Sequence, residues 1–362
     1  MVVDFLIAGS GLTGAVIARE LFNNGFNVLV LERRSHIGGN VFDHNHPSGI
    51  KIHSYGPHYF RTNDESLWQY VNKFSRFYKY EPELKSIVDG AYENWPISDR
   101  YIKRFCGSNW SPSFKGSPTN FEEASLSMMP EIIYTKFVKD YTEKQWGVDA
   151  KNLSHKLAKR FDIRKDNDPR LVRHKYQGIP EEGYASFMSN ILSGIRVLLN
   201  FDYLKNQDFV KPRYKLIFTG PIDEYFGYKF GQLKYRGQIR KSTYIKDVQY
   251  IQPCGQVNNP DNNNGAHIRT LEWKHMMQPK QAMRIKGTVL TTETPFTPIS
   301  PDNYEYPFPD ADNARRYSKY RKEANRLKEV LICGRLGEYK YYDMDQAIAK
   351  AMVLAKKMLV SC

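Results

Sequence analysis

The chain opens on an unbroken apolar run, Asp4-Phe5-Leu6-Ile7-Ala8. A glycine-rich turn follows, then an amphipathic stretch from about Leu12 to Asn23 and a second apolar run, Asn27-Val28-Leu29-Val30-Leu31. Short apolar runs bounded by turn residues read as buried strands, and the spacing between them is helical, so the segment predicts a βαβ unit. From about Ser66 to Arg160 the pattern turns helical, in stretches such as Leu67 to Phe77 and Glu131 to Lys139, broken by a loop from Gly107 to Pro118. An inserted helical domain is expected there. Alternating runs follow at Tyr214 to Thr219, Ser242 to Tyr250 and Gly287 to Thr292, with the polar linker Asn258 to Gly265 between two of them, and they predict an antiparallel sheet. The end of the chain returns to a strand, Glu329-Val330-Leu331-Ile332-Cys333, a glycine turn, and a helix from about Asp345 to Leu359. The fold class expected is α/β, a Rossmann-like dinucleotide-binding domain carrying an inserted helical bundle and an antiparallel β-sheet domain. Its parts are 1–65 with about 185–230 and 325–362 for the first, 66–160 for the helices, and 161–184 with 231–324 for the sheet.

At 362 residues the chain is long enough for two domains and a cleft. No apolar run approaches the roughly 20 residues of a membrane-spanning helix, and no basic region precedes a cleavage site, so a cytoplasmic protein without membrane attachment is expected. Cys106, Cys254, Cys333 and Cys362 are scattered without metal-ligand spacing and read as structural thiols, with no metal expected. The 53 basic residues exceed the 39 acidic ones, a net charge of +14 that favours anionic partners. The basic residues are dispersed and no nucleic-acid-binding motif is present, so the anion expected is not a nucleic acid.

Gly9-Ser10-Gly11-Leu12-Thr13-Gly14 fits G-x-G-x-x-G between a strand and a helix. Gly9 permits the turn, Gly11 lets backbone approach a pyrophosphate, and Gly14 lets helix and strand pack closely. The helix N-terminus then faces the phosphates. Glu32, at the end of the second strand, is placed to accept hydrogen bonds from ribose hydroxyls. Arg33 follows, and then His36-Ile37-Gly38-Gly39-Asn40, whose second glycine pair resembles the glutathione-reductase-like class of FAD proteins and favours FAD over NAD. Late in the chain, Cys333-Gly334-Arg335-Leu336-Gly337 is placed to close over the flavin, with Arg335 stabilising negative charge on its reduced ring.

Five blocks carry a wider resemblance: Tyr55-Gly56-Pro57-His58, Lys144-Gln145-Trp146-Gly147, Gln177-Gly178-Ile179-Pro180, Gly334-Arg335-Leu336-Gly337 and Tyr341-Tyr342-Asp343-Met344-Asp345. In this order they resemble bacterial UDP-galactopyranose mutases almost end to end. The resemblance implies a redox-neutral isomerisation of a nucleotide sugar between six- and five-membered rings, for cell-surface polysaccharide precursors. In it the reduced flavin, not a protein side chain, is the nucleophile toward the anomeric carbon. It also implies a reductant to activate FAD, a UDP-linked substrate and a homodimer. Carried over by residue, Tyr55, His58, Arg335, Asp343 and Met344 join Arg33, Gly39 and Asn40 at the cofactor. Phe137, Tyr141, Thr142 and Trp146 form the nucleotide pocket, with an aromatic ring on uracil. Arg164 clamps the diphosphate, and Tyr176, Tyr320 and Tyr341 help to hold it.

Other readings stay open beside these. Phe137, Tyr141 and Trp146 form an apolar helical stripe that equally suits a core, His58 suits a structural hydrogen bond, and Asp343 suits a helix cap as well as a sugar site. Two positions depart from the family. Arg61 stands where a second histidine is common, and Phe296 stands where a second diphosphate-clamping arginine is expected, with Arg170 and Arg173 as replacements. The sugar is therefore open. An FAD-dependent oxidoreductase, or a silent flavin or nucleotide-sugar binder, would use the same scaffold.

Overall fold

The computed structural model describes residues 3–361; Cys362 lies outside them. Strands β1 (Phe5–Ala8) and β2 (Val28–Leu31) are buried at every position, as parallel strands covered on both faces must be. Between them helix α1 (Leu12–Asn23) turns Ala15, Val16, Ala18 and Leu21 inward and packs against the C-terminal helix Met344–Ser361. Five strands form this sheet, in the order Arg196–Leu198, β2, β1, Lys215–Phe218, Val330–Ile332, and every pair is parallel. The expected run from Tyr214 to Thr219 thus belongs here and not to the antiparallel sheet. Leu216, Ile217 and Phe218 are all buried, the signature of a strand with two covered faces.

A second sheet has seven strands, in the order Tyr306–Pro307, Tyr235–Lys246, Gly287–Phe296, Arg269–Glu272, Gln256–Asn258, Leu84–Val88, Ala91–Trp95. It is antiparallel apart from the parallel pairing of Gln256–Asn258 with Leu84–Val88. Its last two strands correct the expectation of helix from Ser66 onward. Helix stops at Asn72, and a hairpin forms where Asp89 (φ 52°) and Gly90 (φ 77°) make a two-residue turn. Asp-Gly at positive φ is the strongest local hairpin signal, and Leu84, Ser86 and Val88 are buried in alternation with the half-buried Lys85 and Ile87, as a strand requires. Helices do resume at Asp99–Cys106 and Phe121–Leu126. The expected helix from Glu131 to Lys139 is longer, running as Glu131–Tyr134, a π-turn over Thr135–Lys139, and Asp140–Trp146. These helices share a core of Ile102, Phe121, Ile133, Phe137 and Leu153. Among the described residues no helix is long and apolar enough to cross a membrane.

Candidate functional site

The glycine turn after β1 opens one end of a cleft lined by Gly9, Gly11, Gly14, Glu32, Arg33, Gly39, Asn40, Arg335 and Met344. Residues scattered over the whole sequence meet here because β1, β2 and Val330–Ile332 end on the same side of a parallel sheet. Gly9 (φ 109°) has no room for a Cβ, which would fall 2.1 Å from Thr219 Oγ1, and a Cβ on Gly14 would fall 2.1 Å from the Gly9 carbonyl. At Gly11 the nearest protein atom to a Cβ is Gly39 Cα at 4.0 Å, so that position is open on the cleft side. Gly38 pairs with Gly11 in an isolated parallel bridge. The second glycine pair is thus the floor against which the first turn rests.

Glu32 is buried and accepts from Ser10 N (2.9 Å), Ser10 Oγ (2.6 Å) and Arg34 N (2.9 Å), contacts that aim the carboxylate while leaving acceptor capacity. Arg33 is held by both oxygens of Glu224 (3.1 and 2.8 Å), which removes it as a ligand for an extra ribose phosphate. Arg34 lies over the Tyr55 ring at 4.6 Å and donates to Asn40 Oδ1 and to the Asp302 carbonyl. Cradle, open glycine and aimed acid fit the pyrophosphate and ribose of an unphosphorylated dinucleotide.

Beyond the far end, His58 Nδ1 faces the Gly56 carbonyl at 2.8 Å and its backbone N–H donates to His53 Nδ1 at 3.0 Å. Burial above all, then the neighbouring His53 and Arg335, hold the His58 imidazole down to about 3. It is neutral at physiological pH, with Nδ1 donating and Nε2 left as the acceptor. Arg335 donates to the carbonyls of Glu305 (3.1 Å) and Tyr342 (3.4 Å), and its guanidinium sits 5.0 Å from the Tyr341 ring centre. Asp343, expected at the sugar or as a cap, pairs with Arg61 at 3.0 Å. The unexpected arginine therefore does not add net charge beside the cofactor.

Tyr341 leads to a cavity of about 790 Å³ lined by Trp146, Asn152, Tyr306, Tyr317 and Tyr341. Tyr306 and Tyr341 stack with centroids 6.0 Å apart at 12°, and Trp146 meets Phe308 edge-on at 5.7 Å. The helix carrying Tyr141 and Trp146 is fixed from outside. Arg236 donates to the carbonyls of Lys144 and Gln145, and Lys144 Nζ to those of Asp261, Gly265 and His267. The polar linker expected at Asn258 to Gly265 is thereby docked onto that helix.

Between cleft and cavity runs a row of charges unforeseen in the sequence. Glu293 faces Arg240 on one neighbouring strand and Arg269 on the other at the same level. Arg240 Nε donates to Glu293 at 2.7 Å while its two other nitrogens grip both oxygens of Glu305 at 2.8 and 2.9 Å. Arg269 Nε donates to the second oxygen of Glu293. Gly56 lies directly on the row: at φ 90° it needs glycine, and a Cβ would meet Glu293 Oε1 at 2.9 Å and Arg240 Nη2 at 3.2 Å. The available signal was a glutamate at an inward position of a threonine-rich strand.

Several expected substrate residues lie elsewhere. Phe137 is core, 2% exposed and edge-on to Tyr101. Tyr320 is fully buried in the core beside the parallel sheet, where its hydroxyl accepts from Phe230 N and donates to the Gly231 carbonyl. Tyr317, one helical turn earlier, reaches the cavity, as do Ala311 and Ala314 of the same helix. Tyr176 stacks on Trp68 at 5.4 Å and 12°, and Thr142 is buried. Phe296 falls on the face of its strand opposite Glu293, since side chains alternate, and its ring covers Gly237. Arg170 is bound to Asp168 and Glu81, and Arg173 to Asp166 and Asp168. Carboxylates already occupy both proposed replacements. Arg164 differs: it is 4% exposed, Nη2 donates to the Arg170 and Leu171 carbonyls, Nε lies 3.1 Å from Asp162 out of line for a hydrogen bond, and Nη1 has no partner. A buried guanidinium with spare donors keeps capacity for a further acceptor.

A family model for UDP-galactopyranose mutase matches residues 136–341, more than half of the chain. The chain belongs to the UDP-galactopyranose mutase family. A model for an NAD(P)-binding Rossmann-like domain matches residues 7–74. The chain is 32% identical to a probable UDP-galactopyranose mutase of Klebsiella pneumoniae, over 99% of this chain and 95% of the other. It is 31% identical to a dTDP-fucopyranose mutase of Escherichia coli, over 97% of each. The crystal structure of a reduced UDP-galactopyranose mutase superposes with a TM-score of 0.78 at 14% identity, covering 99% of this chain and 96% of that one. A putative protoporphyrinogen oxidase from Exiguobacterium shares the fold at 0.62. Membership in the mutase family makes the chain an isomerase, a nucleotide-sugar pyranose mutase with a flavin cofactor.

Proposed function

We propose that the chain interconverts the pyranose and furanose forms of a nucleoside-diphosphate sugar on reduced FAD, with a sugar other than galactose as open as galactose itself. The observation that carries this is the junction at Arg335 and Tyr341. Arg335 lines the dinucleotide cleft, and the ring it covers lines the aromatic cavity. A cofactor in the first space and a substrate in the second therefore meet at one wall. When bound and reduced, FAD supplies the nucleophile for the anomeric carbon. The chain's own residues do the rest. Trp146 and Tyr141 frame the base, Arg164 takes the diphosphate through its unpartnered nitrogen, and neutral His58 offers an acceptor without competing for a proton. Burial pushes the Tyr306 phenol up to about 12, nearby Glu305 adds to this and Arg269 opposes it, so Tyr306 remains a donor to a phosphate oxygen.

The near-equal identity to a galactose and a fucose enzyme is why the sugar is left open. The remaining parts of this reading are a reductant that activates the flavin, a homodimer, and Tyr55, Asp343 and Met344 at the cofactor. The test is to reduce the FAD-loaded protein with dithionite and offer UDP-galactose and dTDP-fucose, following the pyranose-furanose equilibrium by NMR. Isomerisation without net use of reductant is expected. Product formed in step with oxygen or nicotinamide consumption would make the protein an oxidoreductase instead.

A further inference from the structure

We propose that Arg269 binds the substrate diphosphate, as the second cationic partner beside Arg164; this rests on the mutase reading above. The charge row places Arg269 at its end. Its order across the sheet is Glu305, Arg240, Glu293, Arg269, and the first three members are doubly held: Glu305 by two nitrogens of Arg240, Arg240 by two carboxylates, Glu293 by two arginines. Arg269 ends the row. Among the described residues its hydrogen-bond acceptor is Glu293, reached through Nε alone, although a guanidinium carries five N–H donors in a fixed fork. The side chain is 14% exposed, so its outer nitrogens are neither buried without cause nor dispersed into bulk water.

Arg269 interacts electrostatically with the phenols of Tyr141 and Tyr306, and Tyr306 is a wall of the cavity. Its Nη2 would lie 3.5 Å from a Cβ on Gly56, two residues before His58. The guanidinium is thus placed between the aromatic cavity and the cofactor side, where a diphosphate joining base to sugar must pass. Arg170 bonds Asp168 and Glu81 through all three of its nitrogens, Arg173 is half-exposed and ion-paired with Asp166 and Asp168, Arg240 is saturated within the row, and Phe296 faces away. The charge lost at position 296 is supplied from the neighbouring strand, and Glu293 sets its direction.

The experiment uses the FAD-loaded full chain and calorimetric titration with UDP and dTDP, with uridine and thymidine as the phosphate-free controls. Arg269→Gln leaves Glu293 bonded to Arg240, so the row keeps a paired carboxylate. It is expected to weaken binding of the preferred diphosphate roughly tenfold or more while the nucleoside binds within about twofold of the parent. Arg269→Lys keeps the charge without the fork and is expected to fall between; it carries the test should the glutamine variant not retain FAD. Equal diphosphate affinity in variant and parent overturns the proposal and leaves the mutase reading standing. Equal weakening of diphosphate and nucleoside also overturns it, because that marks a structural role. If the parent binds neither diphosphate, both the proposal and the mutase reading fall.

Discussion

The glycine turn allows cofactor binding and folding to be separated by one substitution. Gly11 caps α1 at φ −63° and ψ 173°, backbone that any residue adopts, and a Cβ there comes no closer to protein than 4.0 Å. A Cβ at this position meets nothing in the protein, and valine's branches project where a pyrophosphate must touch backbone. Two charge-assisted hydrogen bonds to backbone amides, at about 1.5 to 3 kcal/mol each, are lost or lengthened. That is about 3 to 6 kcal/mol, or roughly 10² to 10⁴ in Kd. The unfolded chain meanwhile loses glycine's freedom, which stabilises the folded apoprotein by up to about 1 kcal/mol. Gly14→Val is the contrast, because its Cβ meets the Gly9 carbonyl at 2.1 Å and Ile7 Cγ2 at 3.2 Å, and it must force α1 off β1. The assay is the flavin-to-protein absorbance ratio after desalting, with thermal melting of the apoproteins alongside. Gly11→Val is expected to be colourless with a melting point no lower than the apo parent, and Gly14→Val to be insoluble. A yellow Gly11→Val protein with stoichiometric FAD would refute the placement of the site.

Two further outcomes are expected. Arg164→Ala removes a buried, partly unpartnered guanidinium and should lower kcat/KM by about 10² or more, whereas Arg170→Ala and Arg173→Ala, already neutralised, should stay within about threefold; steady-state kinetics decide, and a tenfold loss at either loop position would show that they do reach the substrate. His53 and His58 are held at about 3, by burial first and then by Lys51 for the one and His53 for the other, against 6.5 when free. The unfolded chain thus binds these protons first, and the stability present above 6.5 is lost as pH falls toward 3, by at most about 1.4 kcal/mol per pH unit for each histidine. Asp223, raised to about 6 by burial, works in the opposite direction over part of this window. Urea midpoints at about pH 7.5 and 5 should therefore differ less in His53→Gln than in the parent, and equal differences would count against the assignment.

The cofactor half of the molecule was legible because its demands are local. Gly9, Gly11 and Gly14 answer to backbone geometry within six residues, and Glu32 follows at the end of the next strand whatever else the chain does. The substrate half depends on which strands lie side by side. Arg240, Glu293 and Arg269 come together only through pairing across three strands, and nothing in the neighbourhood of any one of them announces the others. Tyr320 and Tyr317 show the finer limit. Spacing on a helix identifies two tyrosines a turn apart, but packing decides that one fills the core and the other faces the cavity. The hairpin at Asp89-Gly90 was readable in principle, since the dipeptide and the alternation beside it were both present. The apolar positions from Leu67 onward suggested one continuous helical domain and masked it.

The strand from Gly287 to Phe296 carries Thr288, Thr291, Thr292 and Thr294, threonine on both faces, so its polarity pattern distinguishes poorly between one pairing and its neighbour. Glu293 resolves the ambiguity. A slip of one residue would set a threonine between Arg240 and Arg269 and carry the carboxylate to the other face, isolating charges at a cost of about 3 to 5 kcal/mol for each broken buried pair. The glutamate therefore acts as a detent, disfavouring out-of-phase sheets in the folded chain. It also narrows what mutation can do: a change of sugar preference through this residue would have to find another way to hold the strands in step.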